Sequence, residues 1–310
     1  MQPHYSIIIP HYNIPDLLMR CLKSIPISEN IQVIVVDDNS PEADTYLKRY
    51  SELSRPYLEF IRTNKRGGAG YARNVGMDYA KGKWLIFADA DDFFVEDFPE
   101  ILNEYAEENA DLIFFNTKGL FSNDLNQISN RNKDLLFDEY ERDGDINIFR
   151  YRYTEPWGKI YSTKLIQDND VKFDEIMVAE DYMFSVETGV YSKRLIIVNR
   201  PLYVVTVREG SLSYRGLDNK QKLIDRFCVQ ARVQSFLEKN GYYISDMMIF
   251  GLSVNLLRRY PLVFMSKLLW LNRLGINVRR LLWMILTERV LSPSKRKKID
   301  LRKESYKSKT

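Results

Sequence analysis

Between residues 5 and 92 the same event occurs four times: a short run rich in apolar residues ends abruptly in polar or acidic ones. Tyr5–Ile9 stops at Pro10-His11-Tyr12-Asn13, and Ile31–Val36 stops at Asp37-Asp38-Asn39-Ser40. Tyr57–Arg62 stops ahead of Asn64-Lys65-Arg66-Gly67, and Trp84–Ala88 stops at Asp89-Ala90-Asp91-Asp92. Continuous apolar runs of this length read as strands covered on both faces, and parallel strands of that kind need helical crossovers between them. The first crossover is expected over 16–24, where Leu17, Leu18, Cys21, Leu22 and Ile25 share one face. A polar helix is expected over 42–53, a third from the glycines at 67–70 to about Ala80, and a further strand over 111–116. This alternation predicts an α/β fold with a mostly parallel, doubly wound (Rossmann-like) sheet flanked by helices. Such sheets bind ligands at the carboxyl ends of their strands, so the polar endings are expected to line one crevice.

The fourth ending carries the most chemistry. Asp89 and Asp91 are spaced i, i+2 and Asp92 adjoins them, which places hard oxygen ligands near one point. Such a cluster repels itself unless a cation compensates, and Mg²⁺ or Mn²⁺ holding a diphosphate would do so. On this stretch alone, a solvated acidic turn capping the next helix is an equal alternative. The run Gly68-Ala69-Gly70-Tyr71-Ala72-Arg73 is not a dinucleotide fingerprint, because it follows the third strand and Arg73 stands where the third glycine should be. Glycines ahead of a helix still present backbone N–H groups to an anion, and Arg73 adds a cation. The alternative is a flexible loop with a surface arginine.

A chain of 310 residues holds one large or two moderate domains. Cys21 and Cys228 lie too far apart for a metal or redox motif and read as reduced thiols in a cytosolic protein. The Ile7-Ile8-Ile9 run is too short for a secretory leader. The net charge of +3 conceals an asymmetry: residues 251–310 hold 15 Lys/Arg against 3 Asp/Glu, and the preceding 250 residues hold 30 against 39. From about residue 218 the pattern becomes helical, with helices expected over 218–240, 244–260, 262–274 and 278–291. The longest uncharged apolar run among the last of these, Leu281–Thr287, falls far short of the ~20 residues a membrane span needs. Basic helices carrying Phe264, Trp270 and Trp283 suit a membrane interface, and the Lys295-Arg296-Lys297-Lys298 tail suits anionic lipid. A helical bundle with a solubilising tail is the other reading, and no nucleic-acid recognition motif accompanies the charge.

Pro10-His11-Tyr12-Asn13, Val35-Val36-Asp37-Asp38-Asn39-Ser40, Gly70-Tyr71-Ala72-Arg73-Asn74-Val75-Gly76 and Asp89-Ala90-Asp91-Asp92, in this order, resemble glycosyltransferase family 2 over roughly residues 5–120. The resemblance implies a GT-A fold, a nucleotide-sugar donor (UDP-linked first), a divalent metal and inversion at the anomeric carbon. It implies that Pro10 and Tyr12 flank the nucleobase, that Asp38 accepts a hydrogen bond from it, and that Gly68 and Arg73 help hold the nucleotide. Asp89 would meet the ribose or the metal shell and Asp91 would ligate the metal directly. Asp92 is a third acid or the cap of a helix starting near Glu96, and Asp37 orients its loop. Val178-Ala179-Glu180-Asp181 resembles the family's Glu-Asp pair, which makes Asp181 the base and Glu180 a support contacting acceptor or Lys159. Two first-turn helix acids are the plain alternative. Trp157 and Lys159 fall where the family has an aromatic or basic acceptor residue, although a core tryptophan is nearly as consistent. Arg208 opens an Arg- and Ser-rich loop that would close over the diphosphate or, with Trp157, Lys159 and Glu180, meet the acceptor; an ordinary surface turn is the equal alternative.

The expected organisation is a catalytic domain over 1–215, divided into a nucleotide-sugar part (1–116) and an acceptor part (117–215). A helical region over 216–292 and a basic tail over 293–310 follow. The expected activity is transfer of a sugar to a hydroxyl of a glycan or lipid-linked glycan in bacterial surface polysaccharide synthesis, in the cytoplasm or on the inner membrane face. The rivals are a noncatalytic nucleotide- or glycan-binding subunit and a sugar nucleotidyltransferase. The latter class carries a basic Gly-rich loop after its first strand, which Pro10-His11-Tyr12-Asn13 is not.

Overall fold

A computed structural model describes residues 2–43, 55–208, 219–242 and 248–291, the last with side chains to 287. The chain divides into two compact units, Met1–Asp218 and Asn219–Thr310. In the first, strands β1 (Tyr5–His11), β2 (Ile31–Asp37), β3 (Leu58–Arg62) and β4 (Trp84–Phe87) pair in the parallel order β3-β2-β1-β4. Their apolar centres, Ile7, Ile8, Ile9, Val33 to Val36 and Leu85 to Phe87, are buried. Helices α1 (Pro15–Ser24) and α2 (Gly68–Tyr79) are the crossovers on either side of β2 and β3, and Cys21 is buried and free as expected. The helix expected over 42–53 falls largely outside the described residues.

Beyond β4 the sheet becomes mixed. Strand β8 (Lys159–Ser162) inserts antiparallel between β4 and β6 (Leu112–Phe121). β6 pairs parallel with β9 (Leu195–Val207), and the two-residue β5 (Phe93–Phe94) closes the edge antiparallel to β9. The sequence suggests separate strands at 195–198 and 202–207, yet β9 is one strand. A register shift at Phe115/Asn116/Thr117 absorbs Pro201, which has no N–H to donate. The Asn116 amide bridges the irregularity to Asn199 (2.8 Å).

Residues 117–155, rich in Asn, Asp and Arg and weakly patterned, read in sequence as helices and loops; in the structure β6 continues and turns into β7 (Asp124–Ile128). Every residue of β7 is exposed, so no apolar alternation marks it. Helix α3 (Phe98–Tyr105) precedes β6, and short helices α4 (Asp134–Asp143) and α5 (Asn147–Arg152) follow β7. Helix α6 (Thr163–Asp168) follows β8, and α7 (Tyr182–Tyr191) starts directly after the Glu180-Asp181 pair.

The second unit is helical. Asn219 caps α8 (Lys220–Lys239) by accepting the backbone N–H of Gln221 at 2.8 Å. Helices α9 (Phe250–Arg259), α10 (Pro261–Arg273) and α11 (Val278–Leu291) follow, with Leu256, Phe264, Leu271, Leu281 and Ile285 buried. No described helix is long and apolar enough to cross a membrane.

Candidate active site

The first two strand endings lock each other. His11 Nε2 accepts the Ile14 N–H (3.2 Å), so Nδ1 carries the proton and donates to Asp37 Oδ2 at 2.8 Å. Asp37 Oδ1 accepts the Ser40 N–H (2.7 Å), and Ser40 Oγ accepts the Asn13 N–H (2.9 Å). Burial raises the Asp37 carboxyl, but the His11 and Ser40 donors hold it below its ordinary value. Asn13 and Asn39 sit at φ of 52° and 57°, a region asparagine tolerates better than most residues. Asp38 reaches the third ending, accepting the N–H groups of Gly67 (2.7 Å) and Gly68 (2.8 Å) at the start of α2. The Arg66 guanidinium lies 4.0 Å from the centre of the Tyr12 ring, so one end of α2 and the end of β1 form a single wall.

Helix α2 then docks a distant segment. A Cβ on Gly70 would stand 2.1 Å from the Asp174 carbonyl and 3.0 Å from Glu180 Cβ, so only glycine lets these backbones meet. The Asn74 side chain clamps the Phe173 backbone, donating to its carbonyl (3.0 Å) and accepting its N–H (2.9 Å). Phe173 stacks on Phe184 at 3.8 Å, and both meet Phe87 edge-on. Gly70→Ala is therefore expected to destabilise the unit by about 1–3 kcal/mol despite the better helix former, as urea unfolding will read.

These contacts deliver Arg73 to both acid groups. Its buried guanidinium donates to Asp89 (2.6 Å) and to Glu180 (3.2 Å). The sequence suggests a ligand-facing cation; the structure makes Arg73 a bridge between the β4 acids and the Glu180-Asp181 pair. Ala179 precedes that pair at φ 59°, a conformation that costs a non-glycine residue about 1 kcal/mol. Burial and the adjacent Glu180 push the Asp181 carboxyl up to about 8, against the pull of Arg73. A carboxylate raised in this way is a better proton acceptor at neutral pH.

The carboxylates of Asp89, Asp91 and Asp92 each place an oxygen within 4.8 Å of the others. Asp89 gives Oδ1 to Arg73, Asp91 gives Oδ2 to Arg208 Nε (3.1 Å) and Asp92 gives Oδ1 to the Thr206 N–H (2.7 Å), which leaves one oxygen of each outside these bonds. Burial and the neighbouring acids raise the carboxyls of Asp91 and, more strongly, Asp92. An all-oxygen, mutually repelling set of this kind fits a hard divalent cation. Arg20 and Thr206 anchor the loop by donating to the Asp91 carbonyl, and Tyr203 Oη accepts the Asp89 N–H at 2.7 Å.

Some expectations change. Asp92 faces Thr206 within the triad and does not cap the next helix, which starts at Phe98. Arg208 pairs with Asp91 rather than an acceptor surface; the loop after it lies outside the described residues. Trp157 is 3% exposed, stacked near-parallel on Tyr203 and edge-on to Tyr153, so it is a core tryptophan. Lys159 has no exposed surface; it donates to the Tyr153 carbonyl (2.6 Å), and burial pushes its amine well below the ordinary lysine range. Glu180 bonds Arg73, not Lys159. Arg20, Asn74, Tyr203 and Thr206 escape sequence reading because their partners lie far away in the chain.

The model for "Glycosyl transferase family 2" matches residues 6–171, more than half of the chain. The chain is 28% identical over 228 residues to Glycosyltransferase GlyA of Streptococcus pneumoniae, covering 67% of this chain and 31% of that protein. It is also 28% identical over 217 residues to the poly(ribitol-phosphate) beta-N-acetylglucosaminyltransferase TarS of Staphylococcus aureus (66% and 36%). The chain thus spans about a third of the length of these relatives. A crystal structure of TarS residues 1–349 in complex with UDP-GlcNAc superposes with a TM-score of 0.59 at 23% identity, over 81% of this chain and 70% of that one. The mannosyltransferase PcManGT from Pyrobaculum calidifontis, in complex with GDP-Man and Mn²⁺, gives 0.51 at 17% identity (94% and 82%). The match runs from β1 past the β4 acids and β8, and so this chain belongs to glycosyl transferase family 2 and has a GT-A glycosyltransferase fold.

Proposed function

We propose that this protein is an inverting glycosyltransferase that moves a sugar from a nucleotide donor, UDP-linked, to a hydroxyl of a glycan or lipid-linked glycan in bacterial surface polysaccharide synthesis. One observation carries the reading: a single buried guanidinium, Arg73, joins the β4 acids to the Glu180-Asp181 pair. The two groups an inverting transfer needs are thereby held on either side of one cation. Tyr12 and Pro10 flank the nucleobase, Asp38 accepts a hydrogen bond from it while holding the Gly67 and Gly68 turn, and Gly68 and Arg73 help hold the nucleotide. Asp91, with Asp89 and Asp92, would hold Mg²⁺ or Mn²⁺. When bound, that cation neutralises the charge developing on the departing diphosphate.

Asp181 takes the proton of the acceptor hydroxyl as its oxygen attacks the anomeric carbon. The bond from that carbon to the diphosphate breaks on the opposite face, and its electron pair leaves with the nucleoside diphosphate. Glu180 keeps Asp181 basic, and Arg208 stands beside Asp91 where the diphosphate would lie. The UDP-GlcNAc complex of TarS supports a UDP donor, and attachment to an anionic membrane on its cytoplasmic face through the basic C-terminal region belongs to the same reading.

Calorimetric titration of UDP, GDP, dTDP and CDP, with Mn²⁺ and with chelator, tests the proposal. The expected result is metal-dependent binding of UDP that Asp91→Ala abolishes. Failure of every nucleotide to bind would overturn it.

A further inference from the structure

Helix α10 has two apolar faces. One buries Phe264 and Leu271, and the other leaves Leu262, Met265 and Leu269 exposed by 84%, 56% and 76%. Those three stand at i, i+3 and i+7, so they form one stripe, with exposed Arg273 one turn beyond Leu269. Helix α11 repeats the arrangement. It buries Leu281 and Ile285 and exposes Trp283 (66%) and Leu286 (61%), with exposed Arg279 one turn before Trp283. A helix that is apolar on opposite faces has a second partner besides its own core.

The charge says what kind. From residue 248 to 287 there are six basic side chains (Arg258, Arg259, Lys267, Arg273, Arg279 and Arg280) and no Asp or Glu. A protein interface combining such apolar area with only one sign of charge demands an acidic partner of matched shape. A bilayer containing anionic lipid supplies both needs at once, with phosphates for the arginines and an apolar layer a few ångströms deeper for Trp283 and the leucines. Helices of 13 and 14 residues are too short to span and suit the plane of the interface.

We infer that α10 and α11 lie on an anionic membrane surface through Leu262, Met265, Leu269, Trp283 and Leu286, with Arg273 and Arg279 at the headgroup phosphates. This deepens the membrane part of the function proposed above and rests on it. Attachment also raises the local concentration of a lipid-linked acceptor.

Co-sedimentation of the full chain with phosphatidylcholine vesicles, with and without phosphatidylglycerol, is the test. The expected result is binding that requires phosphatidylglycerol and weakens with salt. Leu269→Glu with Trp283→Glu is expected to lower affinity roughly tenfold or more, since charge is placed where apolar surface should enter. Arg273→Gln with Arg279→Gln should lower it less and flatten the salt dependence. Unchanged circular dichroism and nucleotide binding in both variants show that they fold and keep the glycosyltransferase reading separate from this one. Vesicle binding indifferent to Leu269→Glu/Trp283→Glu would assign the attraction to charge alone and overturn the proposal. So would absence of binding, or a wild-type dimer that these substitutions dissociate without any vesicle binding, which would give the face to a second copy.

Discussion

Asp181→Asn is expected to bind nucleotide as the wild type does and to turn over roughly 10²- to 10⁴-fold more slowly, because asparagine cannot accept the acceptor's proton. The same variant is expected to be the more stable protein. A carboxyl whose pKa rises on folding, here to about 8, binds its proton more tightly in the folded state. Its contribution to stability is complete below the unfolded value near 4 and is lost as pH climbs through the folded value. At neutral pH and above, wild-type Asp181 therefore costs stability, and its amide relieves that cost by about 1 kcal/mol once solvent screening of a part-exposed group is allowed for.

Thermal melts of the two proteins should coincide near pH 4, separate as pH rises to about 8 and run parallel beyond it. In wild type, kcat/KM should climb through the same region, because only the ionised base works. Glu180→Gln removes a carboxylate that holds Asp181 up, so the ascending limb moves to lower pH. An unmoved limb would separate Asp181 from the base role.

Replacing Arg73 with methionine should do the greatest structural damage. The Arg73 side chain is 3% exposed, and the substitution leaves Asp89 and Glu180 without their shared cation. Breaking one partner of a buried pair typically costs 3–5 kcal/mol, and Asp89 keeps enough solvent to place the loss at about 3 kcal/mol, measured by urea unfolding. The pH profile offers a second readout. Arg73 holds Asp181 down, so whatever activity survives in Arg73→Met should show its ascending limb at higher pH, opposite in direction to Glu180→Gln. A purely structural arginine would lower the yield of folded enzyme and leave the limb in place.

The contrast between these two residues marks how far the sequence reaches. Asp181 is legible as a candidate base because a local Glu-Asp pair stands downstream of four motifs in order. Arg73 is legible as a site residue but its partners are not: an arginine on the first turn of a glycine-led helix looks the same in sequence whether it faces solvent or interior. What turned it inward is the clearance at Gly70 and the Asn74 clamp on Phe173, contacts about a hundred residues apart in the chain. The burial of Trp157 and Lys159 is hidden from the sequence for the same reason, since packing on Tyr203 and Tyr153 leaves no local trace.

By itself the sequence determined the parallel half of the sheet, the positions of its polar endings and the acid triad. Strands covered on both faces must be continuously apolar, and each must end where the crevice begins. Only the tertiary structure decided which groups at those endings face a ligand and which hold the others in place. That choice depends on desolvation and on partners brought together across the fold, and neither is a property of a residue's neighbours in sequence.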